Sequence, residues 1–161
     1  MPTYSPSIET VVSRPPSGTR LSVATVLLAF GPMLPLVAAG AGAWMLPGLW
    51  PLLAIQLAIA WGALILAFVG GVRRGYGFRH RAGTGAVAVS GLYLLLATTG
   101  LLLPSPSAGL SVLIVGHVVA ALLDRRAAQA GAAPALFAVL RPPQLLLGAA
   151  GLAGCWAWLL H

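Results

Sequence analysis

The chain has 161 residues, 59% of them hydrophobic and 7% charged, with a formal net charge of +7. Soluble domains carry roughly 25% charged residues, so a chain this apolar cannot cover a water-facing surface and reads as membrane-embedded. The basic excess does not point to nucleic acid, since no polar, aromatic-interleaved basic face accompanies it.

Residues 1–20 are rich in Ser, Pro and Thr (Ser5, Pro6, Ser13, Pro15, Pro16, Ser17). Such a composition builds no core, and the segment is expected to be a disordered cytosolic arm. Residues 21–161 are expected to form one all-α domain, a polytopic bundle of five transmembrane helices. The spans fall at about 21–43, 50–72, 84–103, 108–123 and 143–160, each close to the ~20 apolar residues that cross a bilayer as a helix. The fourth is the shortest, and Pro106 and Ser107 extend it slightly.

In the first span, Arg14 and Arg20, an apolar run and Ala39-Gly40-Ala41-Gly42-Ala43 imitate a secretory signal with a small-residue cleavage site. The run exceeds the ~7–15 residues of a signal core, so a retained anchor is expected. Pro32 and Pro35 each remove an amide donor and are expected to kink or split this helix, with neighbours satisfying the freed carbonyls.

All nine basic residues are arginines: Arg14 and Arg20 before span one, Arg73, Arg74, Arg79 and Arg81 after span two, and Arg125, Arg126 and Arg141 between spans four and five. The other connections carry none. The positive-inside rule then places the N-terminus inside and the C-terminus outside. Trp44, Trp50, Trp156 and Trp158 all fall near the expected outer interface, where amphipathic rings anchor. Only Trp61 falls mid-span. A bacterial cytoplasmic (inner) membrane suits this lysine-free, Ala/Gly/Arg-rich usage.

Span two ends in the sharpest local pattern, Trp61-Gly62-Ala63-Leu64-Ile65-Leu66-Ala67-Phe68-Val69-Gly70-Gly71-Val72-Arg73-Arg74-Gly75. Gly70 and Gly71 permit close backbone approach or a tight helix end. Gly62, Ala63, Ile65, Leu66, Phe68, Gly70, Gly71 and Gly75 resemble the hallmark of the transmembrane protein 69 family, small membrane proteins of uncharacterised function in bacteria and mitochondria. Leu123-Asp124-Arg125-Arg126, Pro134 and Leu140-Arg141 resemble it too. The chain departs from the family where Arg74 stands for the usual tryptophan and Ala135 and Leu136 for the usual aromatics. The resemblance implies a five-span fold and carries no reaction, cofactor or catalytic residue.

His117 is the one titratable group deep in a span. It is the single, weak candidate for holding a cofactor, since ionisable groups at membrane depth are often functional. A bis-histidine haem needs a second histidine at the same depth, and His80 and His161 belong to opposite ends. The commoner reading is an imidazole hydrogen-bonded to backbone or hydroxyl. Asp124 lies about 10 Å beyond it by helical rise. It is expected to pair with Arg125, Arg126 or an arginine of the other inner connection, tying the two together. Arg73, Arg74, Arg79, Arg81, Arg125 and Arg126 are candidates for binding anionic lipid at the inner face or a protein partner. The lone Cys155 excludes an internal disulfide and reads as a small packing residue. Ala150/Gly154 and Gly151/Cys155 follow the small-xxx-small spacing of packed membrane helices, and Gln56, Ser90, Tyr93, Thr98, Thr99 and Ser111 are polar residues of the kind that glue helices together.

No nucleophile, base and metal-ligand set is assembled, so no catalytic residue, metal or cofactor is expected. The reading is a non-enzymatic accessory, assembly or structural subunit of a larger membrane complex, bioenergetic complexes included, with a membrane-protein partner or a second copy. The alternative is a small transporter, channel or anionic-lipid-binding protein.

Overall fold

A computed structural model describes residues 23–79, 84–131 and 135–161. The arm at 1–20, His80, Arg81 and Pro134 lie outside them, as do the side chains of Arg79 and Phe137. The described residues are all-helical: α1 (Val23–Phe30), a 3-10 turn (Gly31–Met33), α2 (Leu34–Met45), α3 (Trp50–Arg79), α4 (Thr84–Leu102), α5 (Pro106–Gln129) and α6 (Ala135–Leu159). Four stretches are long and apolar enough to cross a membrane: Val26–Met45, Trp50–Gly75, Gly85–Leu102 and Pro106–Gln129. The fifth sequence segment forms α6, which packs extensively on α5 and α2. Arg141, Pro142, Pro143 and Gln144 dilute its apolar run.

The first span is split where proline demands it. Pro35 has no amide for the Gly31 carbonyl, and that carbonyl accepts from Leu34 instead, tightening the chain into the 3-10 turn. The indole N–H of Trp61 donates to the Pro32 carbonyl at 2.8 Å. The mid-span tryptophan therefore serves the helix break, as the lack of water in a bilayer requires.

Two helix ends differ from the sequence expectation. α3 does not stop at Gly70 and Gly71 but runs on to Arg79, 30 residues in all. At ~1.5 Å per residue it is about 45 Å long, more than the ~30 Å hydrocarbon core needs. Arginines are good helix formers beyond the apolar zone. α6 begins at Ala135, with Pro142 and Pro143 inside it, so Arg141 is carried on a helix rather than on a connection. α5 starts at Pro106, with Ser105 as N-cap accepting from the Ala108 amide.

Glycine sets the closest crossings. A Cβ on Gly40 would meet the Gly151 carbonyl at 2.6 Å, and one on Gly151 would collide with the Leu36 carbonyl. α2 and α6 therefore touch backbone to backbone, the small-residue mode of membrane packing. The contacting set is Gly148, Gly151 and Gly154, spaced by three, while Ala150 faces outward. Gly100 and Gly109 do the same for α4 and α5, where a Cβ on Gly109 would meet the Gly100 carbonyl at 2.5 Å. Leu36, Leu66, Tyr93, Leu110, Leu113, Leu145, Leu152 and Cys155 fill the core between these crossings.

Candidate functional site

Asp124 is the only acidic side chain among the described residues, and the bundle is tied around it. Arg73 of α3 donates from Nη1 to Asp124 Oδ1 at 2.6 Å. Tyr93 of α4 donates its hydroxyl to the same oxygen at 3.0 Å. Its contact with the Ala120 carbonyl is longer, at 3.5 Å, and a phenol has one proton to give. Arg141 of α6 sits 3.6 Å from Oδ2. The Arg73 guanidinium also lies over the Tyr93 ring, 5.9 Å from its centroid, within cation–π range. Four helices thus meet through one carboxylate.

Local geometry explains the choice of partners. Arg125 and Arg126 follow Asp124 directly, and residues one and two apart on a helix do not face each other; both point outward. The partner comes instead from the end of α3, Arg73. Gly70, one turn earlier on α3, lets α4 approach: a Cβ there would meet the Ser90 carbonyl at 3.2 Å and Tyr93 Cβ at 3.3 Å. That approach puts the tyrosine beneath the arginine. Gly71 and Gly75 touch nothing within 4 Å of where a Cβ would stand, and Phe68 faces outward.

Of the arginines singled out in the sequence, Arg73 is committed to Asp124 and half-buried. Arg74, Arg125 and Arg126 are exposed at the same end. Arg81 and the side chain of Arg79 fall outside the described residues. Arg141, read from sequence as a topology signal and as part of the family resemblance, is buried at 8% exposure, and the sequence gives no sign of its pairing with Asp124 beyond the scarcity of acids.

His117 lies two turns deeper, fully buried. Its Nδ1 is 2.8 Å from the Leu113 carbonyl. A carbonyl only accepts, so Nδ1 carries the proton and Nε2 presents a bare lone pair in the neutral ring. Nε2 and Ser90 Oγ are the two buried side-chain polar atoms without a hydrogen-bond partner among the described residues. The imidazole fits a slot made by two missing side chains. A Cβ on Gly62 would lie 3.7 Å from His117 Cε1, and one on Gly148 would lie 3.4 Å from Cδ2. The slot is closed: Leu152 stands 3.3 Å from the first point, and Met33 Sδ and Leu36 stand 2.8 and 3.1 Å from the second. A porphyrin-sized group has no room in this packing. Gly62 therefore acts as the wall of the histidine slot.

Two of the other polar span residues bond locally. Thr98 donates to Leu94 and Ser111 to Ser107, each on its own helix. Gln56 and Thr99 face outward. Tyr93 of that group bonds from one helix to another. No cluster of three or more His, Cys, Asp or Glu able to hold a metal occurs among the described residues.

Comparison with protein-family models, curated proteins and solved structures finds no match to this chain.

Proposed function

We propose that this protein is a non-enzymatic accessory or assembly subunit of a larger membrane complex. It would be a five-span protein with its N-terminus inside, in a bacterial cytoplasmic membrane. The observation that carries the reading is how its polar groups are used. The one acid of the described residues is taken up by two arginines and a tyrosine that join four helices. The buried histidine bonds its own helix in a slot too tight for a large group. What remains for interaction is the outward apolar face of long helices and an arginine-rich end. The stretches around Gly70 and around Asp124 and Arg141 meet at one cluster.

Gentle-detergent purification of the tagged protein, with mass spectrometry of the eluate, tests the proposal. A defined membrane complex in fixed stoichiometry is expected, and it should persist when Asp124 and His117 are replaced one at a time by variants that still fold. A lone monomer that conducts a solute in reconstituted vesicles would instead make it a small transporter.

A further inference from the structure

His117 is held in the way a metal-ligating histidine is held. Its Nδ1 donates to the Leu113 carbonyl at 2.8 Å, the kind of bond that fixes ring orientation and tautomer and makes the other nitrogen a better ligand. That other nitrogen, Nε2, is buried with no hydrogen-bond partner among the described residues. A buried lone pair left unpaired is costly, and neutral imidazole is the commonest metal ligand among side chains. The ring edge that carries Nε2 faces the seam of α3 and α6, since Cε1 lies beside Gly62 and Cδ2 beside Gly148.

A second donor stands at that edge. Met33 Sδ and His117 Cδ2 lie 2.8 and 3.4 Å from one point, the place a Cβ on Gly148 would take. Both side chains are fully buried. We propose that His117 Nε2 and Met33 Sδ together bind one Cu(I) ion.

The donor set selects this ion. A thioether favours Cu(I) over harder cations, and imidazole suits copper as well. With a filled d shell, Cu(I) accepts linear coordination by a pair of ligands. Structural zinc asks for a tetrahedral set, and calcium and magnesium for oxygens. The one carboxylate of the described residues, Asp124, is two turns away and bonded to Arg73. A monovalent ion also brings the least charge into an apolar interior.

The break in the first span supplies a route. Met33 ends the 3-10 turn and also lines a groove of about 270 Å³ between α1, α3 and α6. Leu28 and Phe68 on the rim of this groove face outward. Unbranched and flexible, the Met33 side chain can carry a soft ion from the groove wall to the imidazole. Arg141 lines the other end of the groove, where it pairs with Asp124.

The site goes beyond the proposed role and stands or falls without it. The test is anaerobic titration of the full chain in detergent with Cu(I), against a colorimetric Cu(I) chelator, followed by X-ray absorption at the copper edge. One bound Cu(I) per chain is expected, with a nitrogen and a sulfur neighbour. Met33→Leu and His117→Leu stay apolar and similar in volume. Each should weaken binding by about 100-fold, because even a group that only orients a metal ligand is worth ~10–100-fold in affinity. Cys155→Ala should keep both the affinity and the sulfur neighbour. The absorption spectra of the unmodified and Cys155→Ala proteins report the thioether directly, so the test does not depend on either leucine variant folding. Failure to retain copper, neighbours of nitrogen or oxygen alone, or affinity that survives both leucine substitutions would overturn the inference. So would loss of binding in Cys155→Ala, which would move the ligand to the thiol.

Discussion

Asp124 holds two arginines that would otherwise repel each other. Asp124→Ala leaves Arg73 and Arg141 without their common carboxylate, and breaking a buried pair by removing one partner costs about 3–5 kcal/mol. Tyr93→Phe removes one hydrogen bond to a charged group and should cost about 1.5–3 kcal/mol. Because both side chains bond through the same Oδ1, the two losses should not add. Thermal unfolding in detergent of the single and double variants reads this coupling, and strict additivity would show that the tyrosine acts elsewhere. His117 calls for the opposite sign. Its Nε2 lone pair is buried without a donor, so His117→Leu, of similar volume and with nothing to satisfy, should match or exceed the parent's stability. His117→Ala, which leaves a cavity, should lose about 2–5 kcal/mol. If leucine destabilises as much as alanine, Nε2 has a partner in the membrane. At this scale the sequence was only half legible. Asp124 stood out because acids are scarce, but Arg125 and Arg126 stood among its expected partners, and the bonds go to Arg73 and Arg141 instead. Tyr93 is 31 residues away from Asp124, and only the glycine contact between α3 and α4 brings it there.

The elements follow from where donors and side chains are missing. Pro32 and Pro35 made the split of the first span legible, but the donor that repairs it was not. Trp61 is 29 residues from Pro32, on the next span, and its mid-membrane position looked exceptional only because its partner was unknown. Trp61→Phe keeps the ring and removes the indole N–H. It should cost about 1 kcal/mol, and hydrogen exchange at the 3-10 turn should rise. Exchange at the far end of α3 should stay as it was; a uniform rise along the bundle would mean that the ring packing, not the bond, matters there. The α2–α6 crossing sets a sharper limit. A Cβ on Gly151 collides with backbone, which cannot rotate aside, so Gly151→Ala should destabilise by more than the ~1 kcal/mol of a flexible overpacked site. Ala150→Val, one residue away and facing outward, should be neutral. Helix ends were the least legible feature. Neither Gly70-Gly71 nor Pro142-Pro143 stops its helix, because tertiary contacts of Gly70 with α4 and burial of Arg141 beside Asp124 outweigh the local signals.

Across the whole molecule, the positions of the two ends of α6 bear on how many times the chain crosses the membrane. By hydropathy α6 falls short of the four other spans, since Arg141-Pro142-Pro143-Gln144 interrupts it. Its contacts run the full length of the bundle nonetheless. Near one end, Arg141 reaches Asp124 among the arginines. Near the other, the Gly154 carbonyl accepts from the Trp44 indole at 3.1 Å, and His161 packs on the Trp44 ring at 5.6 Å. Trp44 closes α2 next to the α2–α3 turn, where Gly48 takes φ +64° and Trp50 opens α3, at the end away from the arginine cluster. An element tied to both ends of a bundle whose other helices cross the bilayer is expected to cross it too, which makes five spans and puts the termini on opposite sides. Single-cysteine variants test this once Cys155→Ala has removed the buried native thiol. A membrane-impermeant maleimide on intact cells should label His161→Cys and spare Ser5→Cys until the membrane is broken. Labelling of both from outside, or of neither, would mean an even number of crossings. α6 would then lie among the spans without traversing the bilayer, and the ring contact between Trp44 and His161 could not belong to the membrane-inserted protein.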